Sequence, residues 1–336
     1  MKTLRDFDFK DKRVLVRCDF NVPLDDKGNI SDDFRIKQTV PTIEYLIEKG
    51  AKVILMSHLG RPDGKVVESL RMNSVQTRLM EYLDVSVTKA PDCVGPEIEK
   101  WTREMQSGEV LLLENVQFNP GEKTNDQNFA KTLASYADIF ILEAFGQAHR
   151  NYASIASIQK YLPSGAGFLL EKEINVLTDL MKNPKKPLVV IIGGAKVETK
   201  VKLIDKISEI ADCILVNPLI GAASSKVIVP LDALDAKKDI GEKTIRLFKE
   251  KIAQAKTILW NGPLGLIEDE QFSKGTAEIA KAIVESGAFS IVGGGETVEF
   301  INKLGLAEKF SHVSTGGGAM LAFLSGEKLP GLEALR

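Results

Sequence analysis

Cysteine and histidine are scarce, with three of each in 336 residues. Cys18, Cys93 and Cys213 lie far apart and form no C-x-x-C pair, which argues against a disulfide framework or a cysteine zinc site. Three buried free thiols are the expectation. His58, His149 and His312 lack metal-ligand spacing, so no histidine metal site is expected. No apolar run approaches the roughly 18 to 20 residues that span a bilayer, and Met1-Lys2-Thr3-Leu4-Arg5-Asp6 lacks the apolar stretch of a signal peptide. A cytoplasmic protein without a membrane partner is expected. An excess of one charge is also missing. Lys and Arg number 44 against 46 Asp and Glu, a net charge of -2, which gives no bulk attraction to nucleic acid or to an anionic membrane. Any basic site must be local. No tandem repeat of 20–50 residues is present, which sets aside solenoids and propellers.

What is present is ordinary globular composition, 44% hydrophobic and 27% charged, over a length that suits two domains. Short β-branched runs alternate with segments of helical period, the pattern of βαβ units around a mostly parallel sheet. Strands are predicted at 13–18, 52–56, 109–114, 139–143, 188–192, 213–216, 257–260 and 290–292. Helices are predicted at 40–48, 73–82, 128–136, 170–181, 201–210, 244–254, 276–285 and 297–304. Lys182-Asn183-Pro184-Lys185-Lys186-Pro187 breaks the pattern near the midpoint, and the helix before it reads as a connection between two halves.

The glycines carry the first chemical signal. Strand 188–192 ends in Gly193-Gly194-Ala195-Lys196, followed by a helix holding Lys200. Two bare amides and two cations at a helix N-terminus suit an anion, since glycine lets a phosphate approach the backbone. The spacing of Lys196 and Lys200 puts both on one helix face. Gly293-Gly294-Gly295-Glu296-Thr297 and Ser314-Thr315-Gly316-Gly317-Gly318 repeat the device. One such run is usually only a tight turn; three in one half point to a phosphate-rich ligand. None fits a P-loop or a G-x-G-x-x-G dinucleotide fingerprint, which also weakens a dehydrogenase reading.

The other half gathers cations at strand ends. Arg17, Asp19 and Asn21 follow the first strand, Arg35 comes next, His58-Leu59-Gly60-Arg61-Pro62 ends the second, and His149-Arg150 follows the strand at 139–143. Open α/β sheets bind ligands at the carboxyl ends of their strands, so a basic pocket for a small anionic substrate is expected here.

These residues resemble the phosphoglycerate kinase family. The resemblance runs through Arg17-Cys18-Asp19-Phe20-Asn21-Val22-Pro23, Ser57-His58-Leu59-Gly60-Arg61-Pro62, Leu113-Glu114-Asn115-Val116, Pro120-Gly121-Glu122, Ala144-Phe145-Gly146, Ala148-His149-Arg150, Gly193-Gly194-Ala195-Lys196-Val197, Trp260-Asn261-Gly262-Pro263 and the two later glycine runs. It implies two doubly wound, Rossmann-like parallel-sheet domains facing a cleft and joined by a helix hinge. Residues 1–168 would form the substrate domain, 169–313 a shortened nucleotide domain, and 314–336 a tail returning to the first. It implies phosphoryl transfer between 1,3-bisphosphoglycerate and ADP, giving 3-phosphoglycerate and ATP with magnesium, by a cytoplasmic monomer. The acid substrate would sit on Asp19, Asn21, Arg35, His58, Arg61 and Arg150. The nucleotide would sit on Gly193, Gly194, Lys196, Lys200, Asn261, Pro263, Glu268, Gly293, Gly294, Gly295, Glu296 and Thr297. Glu296 would lie at the metal, and Gly316, Gly317 and Gly318 at the transferring phosphate and hinge. Arg35, Lys196 and Lys200 would supply the charge compensation that phosphoryl transfer needs. A carboxylate nucleophile, already ionised at neutral pH, needs no general base.

The chain departs from the family pattern in places. After Val216 the pattern continues through a glycine segment, a helix, a strand and a hairpin that wall the adenine pocket; here residues 217–225 run straight into Lys226-Val227-Ile228-Val229-Pro230. The shortened sheet must close the gap or stay partly open, and nucleotide binding should weaken while the phosphate end stays intact. Gln117 stands at an arginine position, Glu143 and Glu296 at aspartates, and Tyr152 at a histidine. A catalytically impaired homologue that keeps the anionic-substrate pocket for binding or regulation is the rival expectation.

Overall fold

The computed structural model describes residues 1–222 and 224–335. It comprises two units, one of Met1–Ile174 with the residues from Lys328, the other Asn175–Glu327.

The first unit is built on six strands, β1 (Arg13–Arg17), β2 (Lys52–Met56), β3 (Val87–Lys89), β4 (Val110–Leu112), β5 (Ile139–Leu142) and β6 (Ser164–Ala166). They pair in the order β3-β4-β2-β1-β5-β6, every pair parallel. Both neighbours of β1 come later in the chain, one winding each way, so the order reverses at β1 and β5, where ligands of such sheets bind. Val14 to Arg17, Val53 to Met56 and all of β5 are buried, as expected of strands covered on both faces. The helices are α1 (Phe34–Glu48), α2 (Asn73–Tyr82), α3 (Pro96–Glu104) and α4 (Gln127–Ala134). Helix α1 starts at Phe34 rather than 40, with Pro41 inside it, and this brings Arg35 into its first turn. Helix α3 escaped the periodicity because it buries only Ile98 and Thr102, one of them polar. Its local mark is Pro96 directly after Gly95, a Pro at the first helical position.

Helix α5 (Phe168–Lys182) carries the chain across the unit boundary at Ile174. The second unit contains β7 (Leu188–Ile192), α6 (Glu198–Ser208), β8 (Cys213–Val216), β9 (Val227–Ile228), β10 (Ala233–Leu234), β11 (Asp239–Ile240), α7 (Glu242–Ala253), β12 (Thr257–Asn261), α8 (Lys274–Glu285), β13 (Phe289–Gly293), α9 (Gly295–Lys303), β14 (His312–Val313) and α10 (Gly318–Leu324). Its main sheet, β14-β13-β12-β7-β8-β9, is again wholly parallel, and β10 and β11 form a separate antiparallel pair. Trp260, Phe248 and Ile258 are fully buried at the centre of its core.

The sheet closes its gap. Ile214 and Leu215 of β8 pair with Val227 and Ile228 of β9, and Ile214 N donates to the Lys226 carbonyl at 2.9 Å. Parallel neighbours normally need a crossover of a dozen or more residues with a helix; here the connection runs from 217 to 226, with no helix among the described residues. Two expectations change. Cys18 and Cys93 are buried but Cys213, at the first position of β8, is partly exposed. The return to the first unit is shorter than 314–336. Helix α10 packs on α6, and Lys202 reaches Glu327 at 3.0 Å, so only α11 (Pro330–Glu333) and its flanks join the first unit.

Candidate active site

In the first unit the carboxyl ends of β1 and β2 and the start of α1 bring together Asp19, Asn21, Arg35 and His58 of the predicted substrate residues. Arg35 Nη1 donates to Asp19 Oδ2 at 3.0 Å and to the Asn21 carbonyl at 3.3 Å. Asn21 Oδ1 accepts the Gly60 amide at 2.9 Å, which ties the loop after β1 to the loop after β2. Phe20 N donates to Ser57 Oγ at 2.8 Å and fixes the same junction. Burial pushes the Asp19 carboxyl up, but the guanidinium charges of Arg35 and, less strongly, Arg17 outweigh it and hold Asp19 below the usual carboxylate range. Gln147, on the turn after β5, comes within 3.4 Å of Asp19 Oδ2; no motif had singled it out. Arg61 and Arg150 are exposed.

Two members of this group differ from the expected basic pocket. Burial lowers His58 to about 3, so at neutral pH it is an uncharged ring, and its Nδ1 has no partner among the described residues. It offers a hydrogen bond, not a charge. Arg17 is fully buried. Its Nε donates to Ser154 Oγ at 2.7 Å, its Nη1 to the Cys18 carbonyl at 2.5 Å, and Glu122 lies 3.6 Å from Nη2. Glu122 in turn accepts from Ser154 Oγ at 2.6 Å and from Ser154 N at 2.9 Å. Arg17 therefore braces the floor under the site and is not among the ligand-facing cations.

In the second unit three glycine turns meet. The amides of Gly193 and Gly194 are not bare: they donate to the carbonyls of Asn261 at 2.9 Å and Pro263 at 2.8 Å. The two turns approach so closely that a Cβ on Gly193 would lie 2.0 Å from the Pro263 carbonyl oxygen, and one on Gly262 would lie 2.2 Å from that of Gly193. Only glycine fits there, and the reason is backbone packing, not phosphate access. Lys196 and Lys200 do not share a helix face, since α6 starts at Glu198. Lys196 is exposed on the loop before it and Lys200 is buried.

Lys200 turns inward and donates from Nζ to Asn261 Oδ1. Burial lowers it to about 8, with Glu296 pulling the other way. Asn261 Nδ2 and Thr297 Oγ1 are buried without a partner among the described residues. Both atoms converge on Gly294, whose missing Cβ would lie 3.5 Å from the first and 3.6 Å from the second. Beyond Gly294, Gly295, Glu296 and Thr297 form the first turn of α9, whose amides the helix itself leaves unused. A buried cation, an orphaned amide and hydroxyl, and a helix N-terminus thus lie close together, the kinds of group an anion would pair. The ends of the segment 314–320 pack beside Gly293. Ser314 N donates to the Val292 carbonyl at 2.8 Å, and Met320 Sδ lies 2.6 Å from where a Gly293 Cβ would be. Glu296 is exposed at the rim, and Glu268 is exposed on the loop after Leu264, outside these contacts.

Comparison with known proteins supports one lineage. A family model for phosphoglycerate kinase matches residues 4–227 and 222–327. The phosphoglycerate kinase of Borrelia hermsii is 42% identical over 389 aligned positions, covering 100% of this chain and 99% of that protein. That of Dictyoglomus turgidum is 43% identical over 388, covering 99% and 98%. The phosphoglycerate kinase structure from Pyrococcus horikoshii superposes with a TM-score of 0.89 at 32% identity, covering 100% and 98%, and that from Coxiella burnetii with 0.83 at 34%, covering 99% and 98%. With 389 positions against 336 residues, some 53 positions of the Borrelia protein face a gap, and the two parts of the model match meet at 222–227, where β8 passes to β9. By sequence and by fold, the chain belongs to the phosphoglycerate kinase family.

Proposed function

We propose that this chain is a working phosphotransferase, moving a phosphoryl group reversibly between 1,3-bisphosphoglycerate and ADP to give 3-phosphoglycerate and ATP. The observation that carries this reading over a purely binding role is the set Lys200, Asn261 and Thr297 around Gly294. A buried lysine and two unpaired polar atoms are costly to keep, and a polyphosphate repays that cost by pairing all three.

The acid substrate is assigned to the first unit. Arg35, anchored by Asp19, presents the rest of its guanidinium to a phosphate or carboxylate, geometry that suits bidentate pairing. His58 donates a hydrogen bond as a neutral ring, and Arg61 and Arg150 add exposed positive charge. The attacking carboxylate is ionised at neutral pH, so no side chain need remove a proton. The nucleotide phosphates are assigned to the second unit, with Lys200 held toward them by Asn261, Lys196 nearer solvent, and the first amides of α9 facing the terminal phosphate. Positioning and charge compensation are then most of the catalysis.

Magnesium fits this donor set. Glu296 is one exposed carboxylate beside phosphate-binding groups, and among the described residues no cluster of three His, Cys, Asp or Glu side chains could cage an ion. That pattern suits a metal held mainly by phosphate oxygens. Glu296, beside the first amides of α9, would hold such an ion alongside the phosphates, and the ion would supply charge neutralisation there. We further propose a monomer acting in the cytoplasm on small molecules alone; among the described residues no helix is long and apolar enough to cross a membrane.

The test is calorimetric titration with Mg-ADP and with 3-phosphoglycerate, followed by a coupled transfer assay. Binding of both with turnover is expected. Binding of 3-phosphoglycerate alone would leave only the rival reading, a binding protein built on the kinase fold.

A further inference from the structure

The turn that carries Arg150 is tied to the carboxylate that holds Arg35. After β5 the chain makes a single helical turn, Phe145–Gln147, and Gln147 ends it buried. Its carbonyl accepts the Arg150 amide at 2.8 Å. Its side chain reaches the loop after β1, where Nε2 donates to Asp19 Oδ2 at 3.4 Å. The same oxygen accepts Arg35 Nη1 at 3.0 Å. An ionised carboxylate only accepts, so the NH2 end of the amide is the one that faces it. One carboxylate oxygen thus serves a residue of α1 and a residue after β5, and Gln147 links the two cations assigned to the acid substrate.

The titratable groups around Asp19 are Arg35 from α1, Arg17 from β1, His58 after β2 and His149 after β5. Burial lowers both histidines, so at neutral pH the charges are the two arginines, and Gln147 is a neutral donor beside them. The consequence of its contact is geometric, since small displacements of a substrate-holding cation cost far more in turnover than in stability. Ala148, the next residue, accepts the Gly331 amide at 2.9 Å. The turn is therefore fastened at two successive residues, and the Gln147 tie leads into the site.

We propose that Gln147 is a positioning residue for the acid substrate: by bridging Asp19 and the Arg150 amide it sets how the guanidinium groups of Arg35 and Arg150 are spaced for a dianionic acid. This rests on the phosphotransferase reading above and adds a residue to its acid-substrate side.

The experiment uses the full chain and two variants. Gln147→Leu keeps the backbone bond to Arg150 and removes the amide, and Gln147→Glu exchanges the amide for a carboxyl. Carbon-13 NMR follows the Asp19 carboxyl in the free proteins, calorimetry follows 3-phosphoglycerate and Mg-ADP, and a coupled assay gives KM and kcat. In Gln147→Leu the Asp19 carboxyl should titrate at higher pH, because a donor to its ionised form is gone. KM for 3-phosphoglycerate should rise about three- to tenfold, the size of one ordinary hydrogen bond, with kcat and Mg-ADP affinity nearly unchanged. Gln147→Glu should bind 3-phosphoglycerate normally at acidic pH, where its protonated carboxyl still donates, and lose affinity as it ionises beside Asp19. An Asp19 titration that is the same with glutamine and with leucine at 147 would overturn the inference, and so would equal losses of 3-phosphoglycerate and Mg-ADP affinity. A shifted Asp19 with weakened 3-phosphoglycerate binding, but no turnover even with Gln147 in place, would uphold it and end the phosphotransferase reading. No binding of 3-phosphoglycerate with Gln147 in place overturns both.

Discussion

Lys200 and Asn261 form a buried pair in which a cation hydrogen-bonds to a neutral amide oxygen. The lysine comes from the first turn of α6, the asparagine from the last position of β12, and the contact runs from Nζ to Oδ1. An amide oxygen compensates a buried ammonium poorly, and burial accordingly lowers Lys200 to about 8. In the free protein the residue is poised to lose its proton just above neutrality, and a polyphosphate would hold that proton on.

Polyphosphate affinity should therefore fall as pH rises through about 8. Stability of the free protein should do the opposite. With the folded value below the unfolded one, near 10.5, the unfolded chain binds more protons between those limits, so this group makes folding more favourable as pH rises from 8 to 10.5. Thermal unfolding with and without inorganic triphosphate across pH 7 to 10 separates the two trends. Lys200→Met should flatten both and raise free-protein stability at neutral pH by on the order of 1 to 3 kcal/mol.

Arg35→Ala should lower kcat/KM for transfer at least about a hundredfold, as loss of a transition-state cation does, and leave nucleotide affinity almost unchanged. Asp19 would lose the first of the charges that hold it low, so its carboxyl should titrate at higher pH in the variant. Calorimetry with Mg-ADP is the control: a large loss of nucleotide affinity would remove Arg35 from the acid-substrate side.

Glu143 is buried at the start of α5, accepting from the Thr42 hydroxyl at 2.5 Å, Leu169 N at 3.1 Å and Leu170 N at 3.4 Å. Burial nevertheless pushes its carboxyl up to about 8. A raised carboxyl favours the folded state fully below the unfolded value, and that advantage is lost as pH climbs through 8. Glu143→Gln should remove this slope, up to about 1.4 kcal/mol per pH unit, from melting curves taken between pH 5 and 8.

Gly331 donates to the Ala148 carbonyl at 2.9 Å and accepts from Gln159 Nε2 at 2.9 Å. A Cβ there would sit 2.9 Å from Ile155 Cγ2 and 3.2 Å from Ala148 Cα. Gly331→Ala should cost about 1 to 3 kcal/mol through overpacking. Because Arg150 follows Ala148 by two residues, it should also raise KM for 3-phosphoglycerate while leaving polyphosphate binding unchanged.

Strands such as 52–56, 188–192 and 213–216 could be read residue for residue because each is an apolar run, after Lys52 in the first, and the structure buries every residue of them but Lys52 and Cys213. The strands β3, β6, β9 and β14 have two or three residues each, too few to show a period, and only pairing with a distant neighbour defines them. The site divides along the same line. Which residues cluster at strand ends is local and legible. That the Gly193 and Gly194 amides are consumed by Asn261 and Pro263, that Lys196 and Lys200 part company, and that His58 is uncharged all depend on burial and on contacts more than 60 positions away for the first of these.

The short passage from β8 to β9 makes this edge of the second sheet a natural seam. Both ends of the passage are pinned by main-chain bonds, Asn217 N to the Ile192 carbonyl at 3.1 Å and Ile214 N to that of Lys226 at 2.9 Å, so what lies between them can change length while the flanking strands hold their register. A folded guest domain with adjacent termini, spliced in after Gly221, would hang from an exposed stretch that Asn217 ties to the Gly194 turn, so that a change at that turn could be read out through the guest.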